Sequence, residues 1–335
     1  MPVLLSELTT LRLGGPAGSV AGATTTDELV RLVADADAAG QPALLLGGGS
    51  NLVVSDAGWP GVVVLIRSTA LDVRERPGEV TLQADAGVVW DDLVARSVRE
   101  GWSGLAAMSG IPGLVGATPV QNVGAYGSEI ADVLESVQIY DRAARRVETW
   151  AADRCRFGFR TSAFKHTDRF VVLRVALRLT RSADAPPVRY VELARRLGIA
   201  AGEHAPSAAV REVVLELRRS KGMLLDADDP DTWSVGSFFV NPFVADESVP
   251  DGCPHWQVDG RVKLSAAWLI ENAGFGKGYG NERVAVSTKH SLALTNRGRG
   301  STADLLTLAR EIRDGVTARF GITLRPEAHL IGVQL

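Results

Sequence analysis

Two glycine loops and a few isolated polar residues carry the chemistry this sequence allows. Residues 109–129, SGIPGLVGATPVQNVGAYGSE, hold five glycines, two prolines and no Lys or Arg. Glycine lets backbone N–H groups approach a ligand closely. Successive N–H groups in such turns form concavities that bind anions without a side-chain cation. A solvated loop has no use for Ile111, Leu114, Val115, Val120 and Val123. The stretch therefore reads as ordered backbone packed on something flat and negatively charged. Gly47, Gly48, Gly49, Ser50 and Asn51 form a second loop, directly after an apolar run. No Gly-Lys-Ser/Thr follows it and no G-x-G-x-x-G occurs, so neither a P-loop nor a Rossmann fingerprint is present. Two such loops in one half of the chain suit a large bipartite ligand such as a dinucleotide.

Other groups are singletons. Residues 156–165, RFGFRTSAFK, interleave three cations with three aromatics. They read either as an amphipathic strand with solvated cations or as a clamp for carboxylate or phosphate, to which Arg offers a planar fork. Ser237 stands between Gly236 and two Phe, where a hydroxyl in an apolar wall acts as a proton donor only if something polarises it. It is not part of a G-x-S-x-G elbow, which disfavours nucleophilic hydrolysis. Glu327 follows Pro326 on an extended segment, and Lys277 lies among the glycines of residues 272–278. The five His show no metal-ligand spacing.

Regular elements must position these groups. A helix is expected over residues 25–40, with Thr25 and Glu28 as a capping box and Gly40 as its stop. Buried strands are expected at 43–46 and 62–66, which puts residues 47–51 at a strand's carboxyl end, where open α/β sheets bind ligands. Residues 71–85 alternate as strand and 89–100 as helix. Further strands are expected at 136–141, 146–150 and 170–180, the last with Val171, Leu173, Val175, Leu177 and Leu179 on one face. After a linker at 182–187, helices are expected at 191–197, 207–219 and 264–272, and a final one is capped by Ser301 and ended by Gly321. The chain of 335 residues, with net charge -3, is long enough for two or three domains. Its basic residues are spread, which argues against a nucleic-acid surface. Cys155 and Cys253 make no C-x-x-C and fit a reducing cytoplasm. Neither a signal peptide nor a run long enough to span a bilayer is expected.

In this order the pieces resemble the UDP-N-acetylenolpyruvoylglucosamine reductase family, in its longer subtype with a tyrosine loop. The matching motifs are TLRLGGPA, LLLGGGSNLVVSD, SGIPGLVGATPVQNVGAYGSEI, CRFGFRTSAFK, LRRSKGM, GSFFVNPF, AAWLIENAGFGKG and LRPEAHLIG, spread over nearly the whole chain. The resemblance implies an α+β protein. Its two-subdomain FAD-binding fold of the vanillyl-alcohol-oxidase type would be followed by a C-terminal α+β substrate-binding domain. The expected division is residues 1–66 and 67–185 for the FAD-binding subdomains and 186–322 for the substrate domain, with the tail 323–335 packing back on the first.

The resemblance also implies roles. FAD would be held non-covalently, since no His precedes His166. Its pyrophosphate would rest on Gly47, Gly48, Gly49, Ser50, Asn51, Ser109, Gly110, Ile111, Pro112, Gly113, Gly116 and Ala117. The isoalloxazine would lie near Gln121, Asn122, Gly124, Ala125, Tyr126 and Gly127. NADPH would be the hydride donor. The enolpyruvyl ether of UDP-N-acetylglucosamine would accept hydride at C3 and a proton at C2. Arg160 would stabilise charge developing on the substrate carboxylate. Glu327, kept protonated by burial, would assist it, and Ser237 would deliver the proton. Tyr190, Lys221, Asn241 and Lys277 would bind the UDP-sugar. Phe159 departs from the family, which often has Tyr there. A monomeric cytoplasmic enzyme of peptidoglycan synthesis is expected, without nucleic-acid or membrane partners. The rivals are an FAD-linked oxidase of the same fold, with no need for GSFF or Glu327, and a non-catalytic flavin- or nucleotide-binding module, with no need for Arg160, Ser237 and Glu327 together.

Overall fold

Contacts in the computed structural model, which describes residues 2–245, 248–258 and 260–335, group the chain into two compact units. One comprises residues 19–48 and 61–219, the other residues 1–18, 49–60 and 220–335. The grouping falls differently from the division expected at 66, 185 and 322. Residues 186–219 go with the preceding sheet region, because Leu193, Ala194, Val210, Val214 and Leu217 share a buried cluster with Ala106 and Ala185.

The first of these units is built on a mainly antiparallel sheet. Its strands run in the order Arg146–Ala151, Leu134–Asp141, Phe170–Arg181, Glu79–Asp85, Leu71–Arg76, with Trp102–Ser103 on the end of the long strand. Val80, Leu82 and Ala84 alternate inward against Trp90, Leu93 and Val94 of the helix Trp90–Arg99, all essentially excluded from solvent. The long strand corrects one expectation. Gln138 pairs with Arg174 but Ile139 pairs with Val172, so Leu173 is an extra, bulged residue. A bulge reverses which side chains face which side. Val175, Leu177 and Leu179 therefore join Val172 in one core, while Val171 and Leu173 pack with Leu29, Val33 and Val64 in another.

That second core lies under a parallel pair, Ala43–Leu46 against Trp59–Ile66 in register Ala43↔Val62, and the helix Thr26–Ala38. Thr25 caps this helix by accepting from the Glu28 N–H at 3.1 Å. The return arm of the expected box reaches one residue further, as Glu28 accepts from the Thr24 N–H at 2.8 Å.

In the other unit a single core surrounds the helix Thr302–Phe320, whose Leu305, Leu308, Ala309, Ile312 and Val316 are buried. Ser301 caps the helix and Gly321 ends it in the left-handed region, both as expected, and Asp304 completes a capping box with Ser301. Around it lie the helix Ala266–Asn272, the hairpin His255–Val258 and Arg261–Leu264 with Phe243–Val244 on its other edge, and the pair Val284–Val286 and Leu294–Asn296. His329–Ile331 runs parallel to Leu52–Val54, tying the segment 323–335 to an N-terminal stretch.

Candidate functional site

In the unit of residues 19–48 and 61–219 the structure brings the two glycine loops together. Gly47 and Gly48 follow the strand Ala43–Leu46, and a Cβ on Gly48 would lie 2.9 Å from the Cα of Gly113. Only glycine permits this approach of backbone to backbone. Residues 109–117 are pinned from outside. Trp90 N donates to Gly113 O at 3.1 Å, and Gly116 N donates to Ala86 O at 2.9 Å. Ser109 is buried and its hydroxyl donates to Ala106 O at 2.7 Å. Ile111 packs against the sheet core.

Three charged residues that the motif reading missed hold Gly110. Its N–H donates to Asp91 Oδ1 at 2.6 Å, and its carbonyl accepts from Arg218 Nε at 3.0 Å. Arg211 grips the Asp91 carboxylate with both terminal nitrogens, at 2.7 and 2.8 Å. Burial works against the Asp91 charge, but Arg211 and the Gly110 N–H outweigh it and hold its carboxyl below the usual aspartate range. Arg218 is buried, and that burial lowers its pKa despite nearby Asp91. A signal existed for one of these residues, since Arg218 lies in LRRSKGM.

Residues 121–129 form the other half of the stretch. Gly124–Ala125 and Ser128–Glu129 pair as a miniature hairpin, with Tyr126 and Gly127 at its tip at φ +50° and +84°. Two successive positive φ values match the twist of a tight hairpin. The Tyr126 ring meets Tyr190 edge to face at 5.4 Å, and burial pushes the Tyr126 hydroxyl pKa up to about 12. Tyr190, placed by sequence on a substrate loop, is 40% exposed and so open to a ligand.

Arg160 sits in a turn closed by paired hydrogen bonds between Gly158 and Thr161, at φ +52°. The segment 156–165 is thus rich in turns and does not form the amphipathic strand of the alternative reading. The Arg160 guanidinium donates to Asn122 O at 3.2 Å and Gly124 O at 2.6 Å, and it lies 5.3 Å from the centre of the Phe159 ring. Lys165 Nζ donates to the Arg160 carbonyl at 2.8 Å. Gln121, Asn122, Gly124 and Ala125 are therefore neighbours of Arg160 as well as members of the glycine stretch.

In the unit of residues 1–18, 49–60 and 220–335, the segments that carry Ser237 and Glu327 pair with each other. Glu327 N donates to Phe238 O at 2.8 Å and Val240 N donates to Arg325 O at 3.0 Å, so the 237–240 and 325–327 segments run antiparallel. Phe238 and Phe239 are buried, with ring centres 4.9 Å apart, and they anchor this pairing, next to which Ser237 and Glu327 are each half-buried. Asn241 accepts the Ala266 N–H at 3.0 Å and so caps the helix Ala266–Asn272.

Lys221 is half-buried and Lys277 exposed, and the glycine that follows each borders one segment. A Cβ on Gly222 would lie 3.4 Å from Lys289 Cδ, and one on Gly278 3.9 Å from Thr288 Cγ2. Lys289, paired with Asp229, was not foreseen, nor was Asp231, which binds Thr288 and, at 2.8 Å, Arg297. In the same unit Gly49 O accepts from Thr10 N at 3.2 Å and Asn51 O from His329 N at 2.9 Å, and Ser50 lies between them.

Similarity to known proteins covers both units. A family profile described as FAD binding domain matches residues 17–149. A second, described as UDP-N-acetylenolpyruvoylglucosamine reductase, C-terminal domain, matches residues 228–331. The UDP-N-acetylenolpyruvoylglucosamine reductase of Thermobifida fusca is 53% identical over 99% of this chain and 98% of its own length. That of Salinispora arenicola is 53% identical over 99% and 95%. The crystal structure of the reductase from Thermus caldophilus aligns with a TM-score of 0.69 at 26% identity, covering 99% of this chain and 98% of its own. With relatives so similar along its whole length, this chain belongs to the UDP-N-acetylenolpyruvoylglucosamine reductase family.

Proposed function

We propose that this protein reduces the enolpyruvyl ether of UDP-N-acetylglucosamine to UDP-N-acetylmuramate, with FAD as its resident carrier and NADPH as hydride donor. The reaction belongs to peptidoglycan synthesis, and the reading includes a monomeric enzyme of the cytoplasm. The observation that supports it is the antiparallel pairing of the Phe238–Val240 and Arg325–Glu327 segments, which carry Ser237 and Glu327 on neighbouring stretches of chain. An oxidase of the same fold has no need of that pair.

The residues present fit FAD. Gly48 and Gly113 approach too closely for any side chain between them, which leaves backbone to face a pyrophosphate. Ser50, Asn51, Ile111, Pro112 and Ala117 complete the residues assigned to it. Gln121, Asn122 and the Tyr126–Gly127 turn would border the isoalloxazine. The bound FAD supplies the hydride that reduces the substrate's C3.

The chain's own residues do the rest. As C3 gains hydride, negative charge grows on C2 and the carboxylate attached to it. Arg160 opposes that charge with a guanidinium already oriented by two backbone carbonyls, so little reorganisation accompanies the reaction. Ser237 gives its hydroxyl proton to C2. Glu327, in protonated form, assists through the same carboxylate. Tyr190, Lys221, Asn241 and Lys277 bind the sugar nucleotide, the two lysines at its phosphates.

An anaerobic titration tests the reading. NADPH should bleach the absorption of the flavin-loaded protein, and the enolpyruvyl UDP-sugar should restore it. Restoration by oxygen but not by the sugar nucleotide would replace the reductase with an oxidase.

A further inference from the structure

The carboxylate of Glu129 lies between two groups already placed in the site. Its Oε1 is 3.6 Å from Arg160 NH1, and its Oε2 accepts from Asn122 Nδ2 at 2.7 Å. Asn122 is buried and held at φ +47°, a conformation few non-glycine residues adopt without support. Its side chain supplies that support, donating also to Gly158 O at 3.2 Å and accepting from Ala131 N at 3.1 Å. Gly158 opens the turn that carries Arg160, and Asn122 O is one of the two carbonyls under the guanidinium. The other, Gly124 O, belongs to the residue paired with Glu129 across the miniature hairpin. A Cβ on Gly124 would lie 2.8 Å from Glu129 Cγ, so the Glu129 stem is laid directly over Gly124.

The ion pair and both backbone carbonyls at the Arg160 guanidinium lead back to Glu129, directly, by the Asn122 amide or by the hairpin. We propose that Glu129 is the positioning residue for Arg160: its carboxylate aims the guanidinium and fixes the Asn122 turn on which the guanidinium rests. Glu129 acts through Arg160 and touches neither the hydride nor the proton. The proposal rests on the reading of Arg160 as the group that opposes charge on the substrate carboxylate.

The two half-reactions separate this role from a general loss of structure. Glu129→Ala should slow reoxidation of the reduced protein by the enolpyruvyl UDP-sugar by about 10- to 100-fold, the scale on which small misplacements of a catalytic group act. Bleaching by NADPH should change by no more than about two-fold. Glu129→Gln keeps an acceptor for Asn122 and loses the charge, and should fall between Ala and the parent. In calorimetry, binding of the product UDP-N-acetylmuramate should weaken in the same order. In an Arg160→Lys background, Glu129→Ala should add almost nothing, because residues acting as one unit are not additive. Equal slowing of both half-reactions, or full additivity with Arg160→Lys, would overturn the proposal. If Arg160→Lys slows substrate reduction and Glu129→Gln and Glu129→Ala both leave it untouched, Glu129 has no such role. If Arg160→Lys itself has no effect, the reading of Arg160 fails first and this one with it.

Discussion

The glycine cradle and the Ser237–Glu327 pair solve opposite problems. The cradle must present backbone, so its shape depends on close approach and on φ values that side chains resist. Asn122 and Tyr126 lie at positive φ, and residues outside the loops hold it in place at Gly110: Asp91, Arg211 and Arg218. The Ser237 region must present side chains. It does so with ordinary strand-like pairing and two buried Phe anchors, which leave Ser237 half-buried. Residues at positive φ mark the cradle, and ordinary packing marks the Ser237 segment. Damage to the cradle should then appear as lost binding and stability, and damage to the pair as lost chemistry.

The sharpest separation comes from Ser237→Ala. Loss of a positioned proton donor is expected to lower turnover by roughly 10²- to 10⁴-fold. Reduction of the flavin by NADPH should persist, and the melting temperature should stay near that of the parent. Unchanged steady-state turnover would remove Ser237 from the chemistry and leave the pair as architecture.

Gly48→Ala probes the other side. The new methyl would meet the Gly113 Cα at 2.9 Å, backbone against backbone, so the loops must separate. A cost of about 1–3 kcal/mol in stability is expected from such overpacking, together with weaker retention of FAD in a dialysis assay. Gly22→Ala is the control, since no atom lies within 4 Å of its Cβ position. Equal FAD retention by the two variants would show that the loop contact is not what shapes the cradle.

This contrast also explains what could be read from the sequence. The cradle was legible because glycine type and spacing are visible in a string of residues. The helices were legible from their caps, as with Ser301 and Gly321. Arg160, Ser237 and Glu327 gained roles only through resemblance, because a Ser between Gly and Phe has no local signature. Ser237 and Glu327 owe their surroundings to pairing between residues 238–240 and 325–327, nearly ninety positions apart in sequence. Asp91, Arg211 and Lys289 escaped notice for the same reason: each earns its place through a partner far along the chain. The bulge at Leu173 was invisible because strict alternation continues through it, and only the neighbouring strand Leu134–Asp141 reveals the extra residue.

The smallest expected effect tests how firmly the cradle is held from outside. Asp91→Asn keeps an acceptor for the Gly110 N–H and removes the charge that Arg211 grips. The pair is partly exposed, 18% for Arg211 and 31% for Asp91, so the loss at neutral pH should be about 1 kcal/mol or less. Its sign with pH is fixed. The folded-state pKa of Asp91 is depressed, so its contribution is complete above the unfolded aspartate pKa and fades as pH falls through the folded one. The parent and Asp91→Asn should therefore differ most at neutral pH and converge below about pH 4. Thermal melts from pH 7 downward would show it. A difference that stayed constant into acid would mean that the Asp91 charge contributes nothing, and that the Gly110 N–H is held by the acceptor alone.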